Sequence, residues 1–374
     1  MKYSIEIGKI IEGCLKHDQI KVINYTKQLI NKLEEDGELR AANKFNRLLT
    51  NQSETTLSSM GAKAIMPVDS ESRTVLADII YPDENNIDVI LSKNNEENLN
   101  TFILNYKNAD KLNSLGIGVS KTLLLYGPPG CGKTQSAYFI AKALKLPLVV
   151  ARLDSLISSY LGTTAKNIRI LFEFAQKMPC VLFLDEFDAI AKARDDNNEL
   201  GELKRVVNSL LQNVDAMSND SLLVAATNHD CLLDSAVWRR FDYKLKIELP
   251  DVEAIIKMID LFAKGNIILS EKEKNELATA FEGLSGANIE EIILKAIRKA
   301  VIYDTEVSKQ NLYEELFLFR GVISKNIYDE KTLLKRKANF LRKCDEKIFS
   351  LQVIAEILGS SKSTMSKLLK EKDD

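Results

Sequence analysis

A chain of 374 residues with ordinary apolar and charged fractions, 45% and 28%, has room for two or three domains and is neither fibrous nor low in complexity. Its net charge of −2 excludes a basic field over the whole surface, but the charge is uneven: residues 331–374 carry 11 Lys and Arg against 6 Asp and Glu, the remainder 40 against 47. Five scattered cysteines without a C-x-x-C pair, and two histidines, offer no zinc spacing and suit a reducing compartment.

No stretch has the length of a signal peptide or a membrane span, so the expected location is cytoplasmic, without membrane partners. Residues 1–52 read as a small helical unit. Asp18 is placed to cap a helix carrying Val22, Ile23, Leu29, Ile30 and Leu33, and Gly37 to stop it; a following helix aligns Leu39, Ala42, Phe45 and Leu49. So small a unit is expected to pack on something or to bind a partner. Residues 53–74 are polar and read as a linker.

Residues 75–250 alternate strand-like and helical patterns. A helix with Leu99, Phe102, Ile103 and Tyr106 leads to the apolar run Thr122–Tyr126, and further strand-like runs follow at 148–151, 181–184, 222–226 and 243–247. This alternation predicts an α/β fold with a doubly wound parallel sheet. Residues 251–325 then turn helical and read as a lid, and 326–374 form a basic helical segment, so small all-α units flank the sheet.

Residues 127–134, Gly-Pro-Pro-Gly-Cys-Gly-Lys-Thr, carry the strongest signal: a P-loop between a strand and a helix. Its glycines let the backbone curl so that N–H groups face phosphate oxygens, and the helix N-terminus adds positive potential. Gly127, Pro128, Pro129, Gly130, Cys131, Gly132, Lys133, Thr134 and Gln135 form the expected cradle, with Lys133 on the outer phosphates and the Thr134 hydroxyl on Mg²⁺. The apolar run 181–184 ends in Asp185 and Glu186. At the carboxyl edge of a parallel sheet, Asp185 is expected to hold Mg²⁺ through water and Glu186 to polarise an attacking water. A nucleotide with Mg²⁺ is the expected ligand.

Gly-Pro-Pro-Gly-x-Gly-Lys-Thr together with Leu-Asp-Glu-Phe-Asp-Ala resembles the AAA ATPases over roughly residues 75–320. The resemblance implies that the nucleotide is ATP, with a sensor at Asn228, bonded to the attacking water or the γ-phosphate, and arginine fingers at Arg239 and Arg240. These two are adjacent, as in the compact Arg-Arg-Phe form of katanin- and spastin-like members. It further implies a lid signature at 283–288, with Gly286 and Ala287 near adenine and ribose and Asn288 where Asp is usual; no sensor-2 arginine is apparent. A homo-oligomeric ring, a hexamer with active sites between subunits, follows from the same resemblance.

Tyr160-Leu161-Gly162 matches the aromatic–hydrophobic–Gly pore loop of members that thread polypeptides; the alternative is a tyrosine packed on the lid or a neighbour. Residues 350–369 have helix-turn-helix spacing, with Gly359 at the turn and Ile354, Leu358, Met365 and Leu368 as shared core; Ser361–Thr364 and basic residues at 335–337, 342 and 343 are candidates for DNA contacts. The alternative is a hairpin that caps the lid. The expected function is an ATP-hydrolysing ring that remodels or threads a protein substrate. A DNA-associated loader or switch, or an ATPase serving a separate protease or nuclease, are the other readings.

Overall fold

The computed structural model describes residues 3–56, 66–69, 72–82, 89–157, 161–191, 202–217, 221–233, 235–323 and 329–370. The chain forms two compact units. One comprises Met1–Val89, Glu97–Gly127 and Lys133–Ile247; the other Ile90–Glu96, Pro128–Gly132 and Glu248–Asp374.

The first unit opens with α1 (Ser4–Leu15), α2 (Gln19–Glu35) and α3 (Leu39–Thr56). The Asp18 carboxylate accepts the Lys21 N–H at 3.0 Å and caps α2, and Gly37, at φ 79°, turns the chain into α3. Leu29, Ile30, Leu33 and Ala42 form a small core, with Ile7, Ile10, Phe45 and Leu49 packed around it. Leu39, expected on that inner face, is exposed: it stands first in α3, beside the turn where α2 has ended. Glu12 bridges Lys9, Lys16 and Lys21, which hold its carboxyl down at about 2, Lys16 first. Two surface links, Lys145–Glu35 at 2.7 Å and the Ser4 hydroxyl donating to Asp110 at 3.1 Å, tie these helices to the rest of the unit.

The sheet contains β1 (Ala77–Ile80), β2 (Thr122–Tyr126), β3 (Leu148–Ala151), β4 (Val181–Leu184), β5 (Leu222–Thr227) and β6 (Tyr243–Lys246). Its order is β1-β3-β4-β5-β2-β6, parallel throughout except for β1. The strand-like runs read from the sequence begin at Thr122, with none ahead of the helix that carries Leu99. Residues 77–80 pair instead antiparallel with β3, an edge strand whose Asp78 takes a bidentate contact from Arg152 at 2.7 and 2.9 Å.

The central strands carry no charge because both faces are covered. Between β1 and β6 the chain also forms α4 (Lys93–Lys107), α5 (Ala109–Ser114), α6 (Lys133–Leu144), α7 (Leu153–Leu156), α8 (Leu161–Ala175), α9 (Asp188–Ala191), α10 (Glu202–Asp215) and α11 (Ser235–Trp238). Leu124, Leu182, Leu184, Leu223 and Ala225 face a core shared with α8 and α10. The alternate residues Leu123, Leu125, Phe183 and Val224 are buried too, and α6 (Lys133–Leu144) packs against β3, β4 and β5.

The second unit is helical: α12 (Val252–Ala263), α13 (Glu271–Phe281), α14 (Gly286–Ile302), α15 (Lys309–Phe319), α16 (Glu330–Cys344), α17 (Leu351–Ile357) and α18 (Lys362–Leu368). Each begins at a Ser or Asp whose side chain accepts a backbone N–H of the first turn. Phe349, Val353, Ile354, Ile357, Met365 and Leu368 lie in one hydrophobic cluster with Ile259, Phe281, Ile293 and Leu316. Gly359, at φ 63°, separates α17 from α18. Lys337, grouped above with the basic residues open to DNA, is mostly covered; its ammonium pairs with Glu314 and lies 5.5 Å from the Phe317 ring centre.

Candidate active site

Strand register sets the site. β2 pairs Tyr126 with Thr227 of β5, and β5 pairs Ala225 with Leu184 of β4. Gly127, Asn228 and Asp185 therefore leave the carboxyl edge of three adjacent parallel strands, where such sheets bind ligands.

Gly127 has φ 137°, and a Cβ there would come 2.1 Å from the Ile247 carbonyl oxygen, so only glycine can follow β2. Lys133 is buried, and its ammonium donates to the Gly127 carbonyl at 2.8 Å, which ties the start of α6 back to the end of β2. Next to it, the Thr134 hydroxyl donates to Asp185 Oδ2 at 2.7 Å. Gln135 is exposed on the first turn of α6.

Asp185 also accepts the Glu186 N–H through Oδ1 at 2.9 Å. Glu186 itself is exposed and sits at φ 46°, a left-handed conformation that is costly for a residue with a Cβ. Phe187 re-enters the sheet by donating its N–H to the Ala226 carbonyl at 2.8 Å. Neighbouring strand ends are braced by a contact that the sequence reading did not anticipate. The Thr227 hydroxyl donates to Asp188 at 2.7 Å and accepts the His229 N–H at 3.0 Å, flanking the half-buried Asn228 on both sides. Asp188 could have been found as the third carboxylate of Leu-Asp-Glu-Phe-Asp.

Arg239 and Arg240 follow α11 (Ser235–Trp238) and are exposed; Arg240 pairs with Asp215 at 3.1 Å. Phe241 between them and β6 is buried edge-to-face on Phe187 at 5.6 Å, and Trp238 meets Tyr126 in the same manner at 5.1 Å. β2 and β6 run parallel with Leu123 opposite Tyr243, so residues 240–242 lie level with Thr122, at the amino end of β2.

Within the second unit, the loop segment Pro128–Gly132 meets the start of α14. The Ala287 N–H donates to the Gly130 carbonyl at 3.1 Å, and a Cβ on Gly130 would fall 2.8 Å from Ser285 Oγ. Ser285 caps α14 by accepting the Asn288 N–H at 3.3 Å. Gly286 and Ala287 thus bear on the P-loop backbone.

Tyr160 lies outside the described residues. Leu161 and Gly162 open α8. No helix among the described residues is long and apolar enough to cross a membrane. Nor does any group of three or more His, Cys, Asp or Glu among them stand ready to hold a metal ion by itself.

By fold, this is a P-loop nucleoside triphosphatase. Residues 123–249 match the family described as "ATPase family associated with various cellular activities (AAA)". An uncharacterized AAA family ATPase of Sinorhizobium fredii is 41% identical over 276 residues, covering 74% of this chain and 83% of that protein. The chain belongs to the AAA family, and it is an ATPase. A putative 26S proteasome regulatory subunit homolog of Methanocaldococcus jannaschii is 33% identical over 216 residues, covering 56% of this chain and 58% of that protein, so the match spans little more than half of that relative. The crystal structure of the FIGL-1 AAA domain in complex with ADP shares the fold, with TM-score 0.55 and 23% identity over 75% of this chain and 94% of that one.

Proposed function

We propose that this ATPase works as a homo-oligomeric ring, a hexamer, in which Arg239 and Arg240 of one subunit complete the hydrolytic site of the next. One observation carries this reading. Arg240 lies level with Thr122 while the P-loop leaves β2 after Tyr126, four strand steps away, or about 13 Å along the sheet. A chain's own finger residues and its own phosphate cradle stand at opposite ends of one strand, an arrangement that suits donation to a neighbour.

In the proposed site, loop N–H groups and Lys133 hold the phosphates of ATP. Thr134 and Asp185 present only oxygen donors 2.7 Å apart, which fits Mg²⁺, a hard cation that keeps most of its water and shares the rest with phosphate. When bound there, the ion would supply positive charge against the phosphates. Glu186 takes a proton from the attacking water and Asn228 orients it. The neighbour's arginines meet the charge that grows on the transferred phosphoryl group, an effect of about 10³ to 10⁵ in rate.

The test is subunit mixing. Arg240→Ala should bind ATP without hydrolysing it, and so should Glu186→Gln. A mixture should regain activity, because R240A sites then receive intact fingers from E186Q subunits. Lack of recovery in the mixture, or full activity in an isolated monomer, would sink the shared site.

We read the work of the ring as remodelling or threading of a protein. The sequence Tyr160-Leu161-Gly162 and the proteasome regulatory homolog among the relatives support this reading, with a separately encoded protease as the companion possibility. Tyr160→Ala should abolish remodelling while ATP hydrolysis persists. A DNA-associated role is the second reading, favoured by the exposure of Ser361–Thr364, Lys367 and Lys370 beside Arg342 and Lys343.

A further inference from the structure

The turn that carries Arg239 and Arg240 is bolted to the strand that leads to the P-loop. Thr122, buried at the first position of β2, donates its hydroxyl to the Arg240 carbonyl at 3.1 Å and accepts the Asp242 N–H at 2.8 Å. The preceding residue adds another bond: the Lys121 N–H donates to Asp242 Oδ2 at 3.0 Å, and the Lys121 ammonium reaches the Met217 carbonyl. These contacts extend the β2–β6 ladder backward by one step, because Leu123 and Tyr243 are the first paired residues.

The Phe241 ring is buried in the core against Phe187, whereas Arg239 and Arg240 on its amino side are exposed. The backbone at 240–242 is therefore fixed from two sides while the guanidinium groups remain exposed. A side chain that must meet charge in another subunit gains most when its root cannot drift, since misplacement by about 1 Å costs about 10²-fold in rate.

We propose that Thr122 is a positioning residue for the arginine fingers: its hydroxyl fixes the backbone from which Arg240 reaches a neighbouring subunit's nucleotide. The inference rests on the shared-site reading above. Thr122 belongs to the strand that feeds its own P-loop, yet its effect on hydrolysis acts in trans.

Four full-length variants and two mixtures test this. Thr122→Val keeps the shape and removes the hydroxyl; its kcat should fall about tenfold to a hundredfold with KM for ATP unchanged. Thr122→Ser, which retains the hydroxyl, should restore kcat. Mixed with E186Q subunits, which have intact fingers and dead sites, T122V should recover activity, as R240A does in the parallel mixture.

If T122V melts too early to assay, Asp242→Ala removes the neighbouring bond from Lys121 and should show the same fall and the same recovery. The proposal is overturned if T122V, or D242A in its place, keeps wild-type kcat, or if R240A recovers in the mixture and the Thr122 or Asp242 variant does not. Should R240A itself fail to recover, the shared site is wrong and the role of Thr122 falls with it.

Discussion

The Thr134 hydroxyl donates to Asp185 Oδ2 at 2.7 Å, joining the first turn of α6 to the end of β4. Each is an oxygen ligand of the kind Mg²⁺ accepts, and each holds the other in place. Thr134→Val should therefore weaken binding of ATP in the presence of magnesium by about 10- to 100-fold, the range seen when a group that orients a metal ligand is lost. In EDTA, where no metal ion is shared, T134V and wild type should bind ATP within a few fold of each other. Calorimetric titration with and without magnesium checks both arms, and equal losses in both would remove the metal role from Thr134.

Glu186 should show a conflict between stability and activity. Its φ of 46° places a side-chain-bearing residue in the left-handed region, at a cost of about 1–2 kcal/mol that glycine does not incur. Glu186→Gly and Glu186→Ala should both abolish hydrolysis, but E186G should be the more stable by about 1 kcal/mol in urea unfolding. Equal midpoints would mean that the turn relaxes when the carboxylate goes.

Gly127 and Gly130 should respond differently to the same methyl group. At Gly127 the new Cβ meets main chain, the Ile247 carbonyl oxygen at 2.1 Å, and the β2–β6 pairing must open to admit it. At Gly130 it meets side-chain atoms, Ser285 Oγ at 2.8 Å and Ala287 Cβ at 2.9 Å, which move more readily. Gly127→Ala should fail to accumulate as folded protein. Gly130→Ala should fold with a lowered melting temperature and weakened ATP binding.

The sheet and the phosphate loop were legible in the sequence because their signals are local. Thr122–Tyr126 is an unbroken apolar strand, and the glycines of 127–132 with the Lys133-Thr134 pair that opens α6 are the pattern that phosphate chemistry asks for. β1 was not legible: its four residues include Asp78, whose charge is matched by Arg152, seventy-four residues away in sequence. Nor could spacing reveal the left-handed turn at Glu186, since nothing about a glutamate announces a positive φ. Thr122 was invisible for a related reason. Its partners, Arg240 and Asp242, meet it only after β6 has folded beside β2.

The second unit should lose stability in acid through Glu273. Its carboxylate closes the capping box of α13 on Ser270 and meets Lys309 at 2.9 Å; the Ser270 N–H first, then Lys309, lowers it from an ordinary 4.5 to about 2. Because the folded-state value is the depressed one, the stabilisation is complete above about 4.5 and is lost as pH falls towards 2. The group is partly exposed, so the capping contribution, about 1 kcal/mol, is the relevant size rather than the whole shift. Glu273→Gln should lower the melting temperature near pH 7 and converge on wild type as pH falls through this window. A gap that stays constant with pH would remove Glu273 from the account.

Removing the C-terminal segment is a poor test of DNA binding, because residues 346–374 contain Phe349, Ile354, Met365 and Leu368, all buried in the core of the second unit. Each contributes about 1.5–3 kcal/mol on burial, so truncation should unfold the second unit and abolish every activity at once. Charge reversal avoids this. Lys362, Lys367 and Lys370 are exposed on or just beyond α18, and Glu at these positions leaves the core intact. Under the DNA reading, the triple variant should lose retention on duplex DNA, and its log–log salt slope should shrink by about 1 for each phosphate contact removed. ATP hydrolysis in the absence of DNA should be unaffected. Unchanged retention at low salt would dispose of the DNA reading, leaving α17 and α18 as a hairpin packed in the core of the second unit.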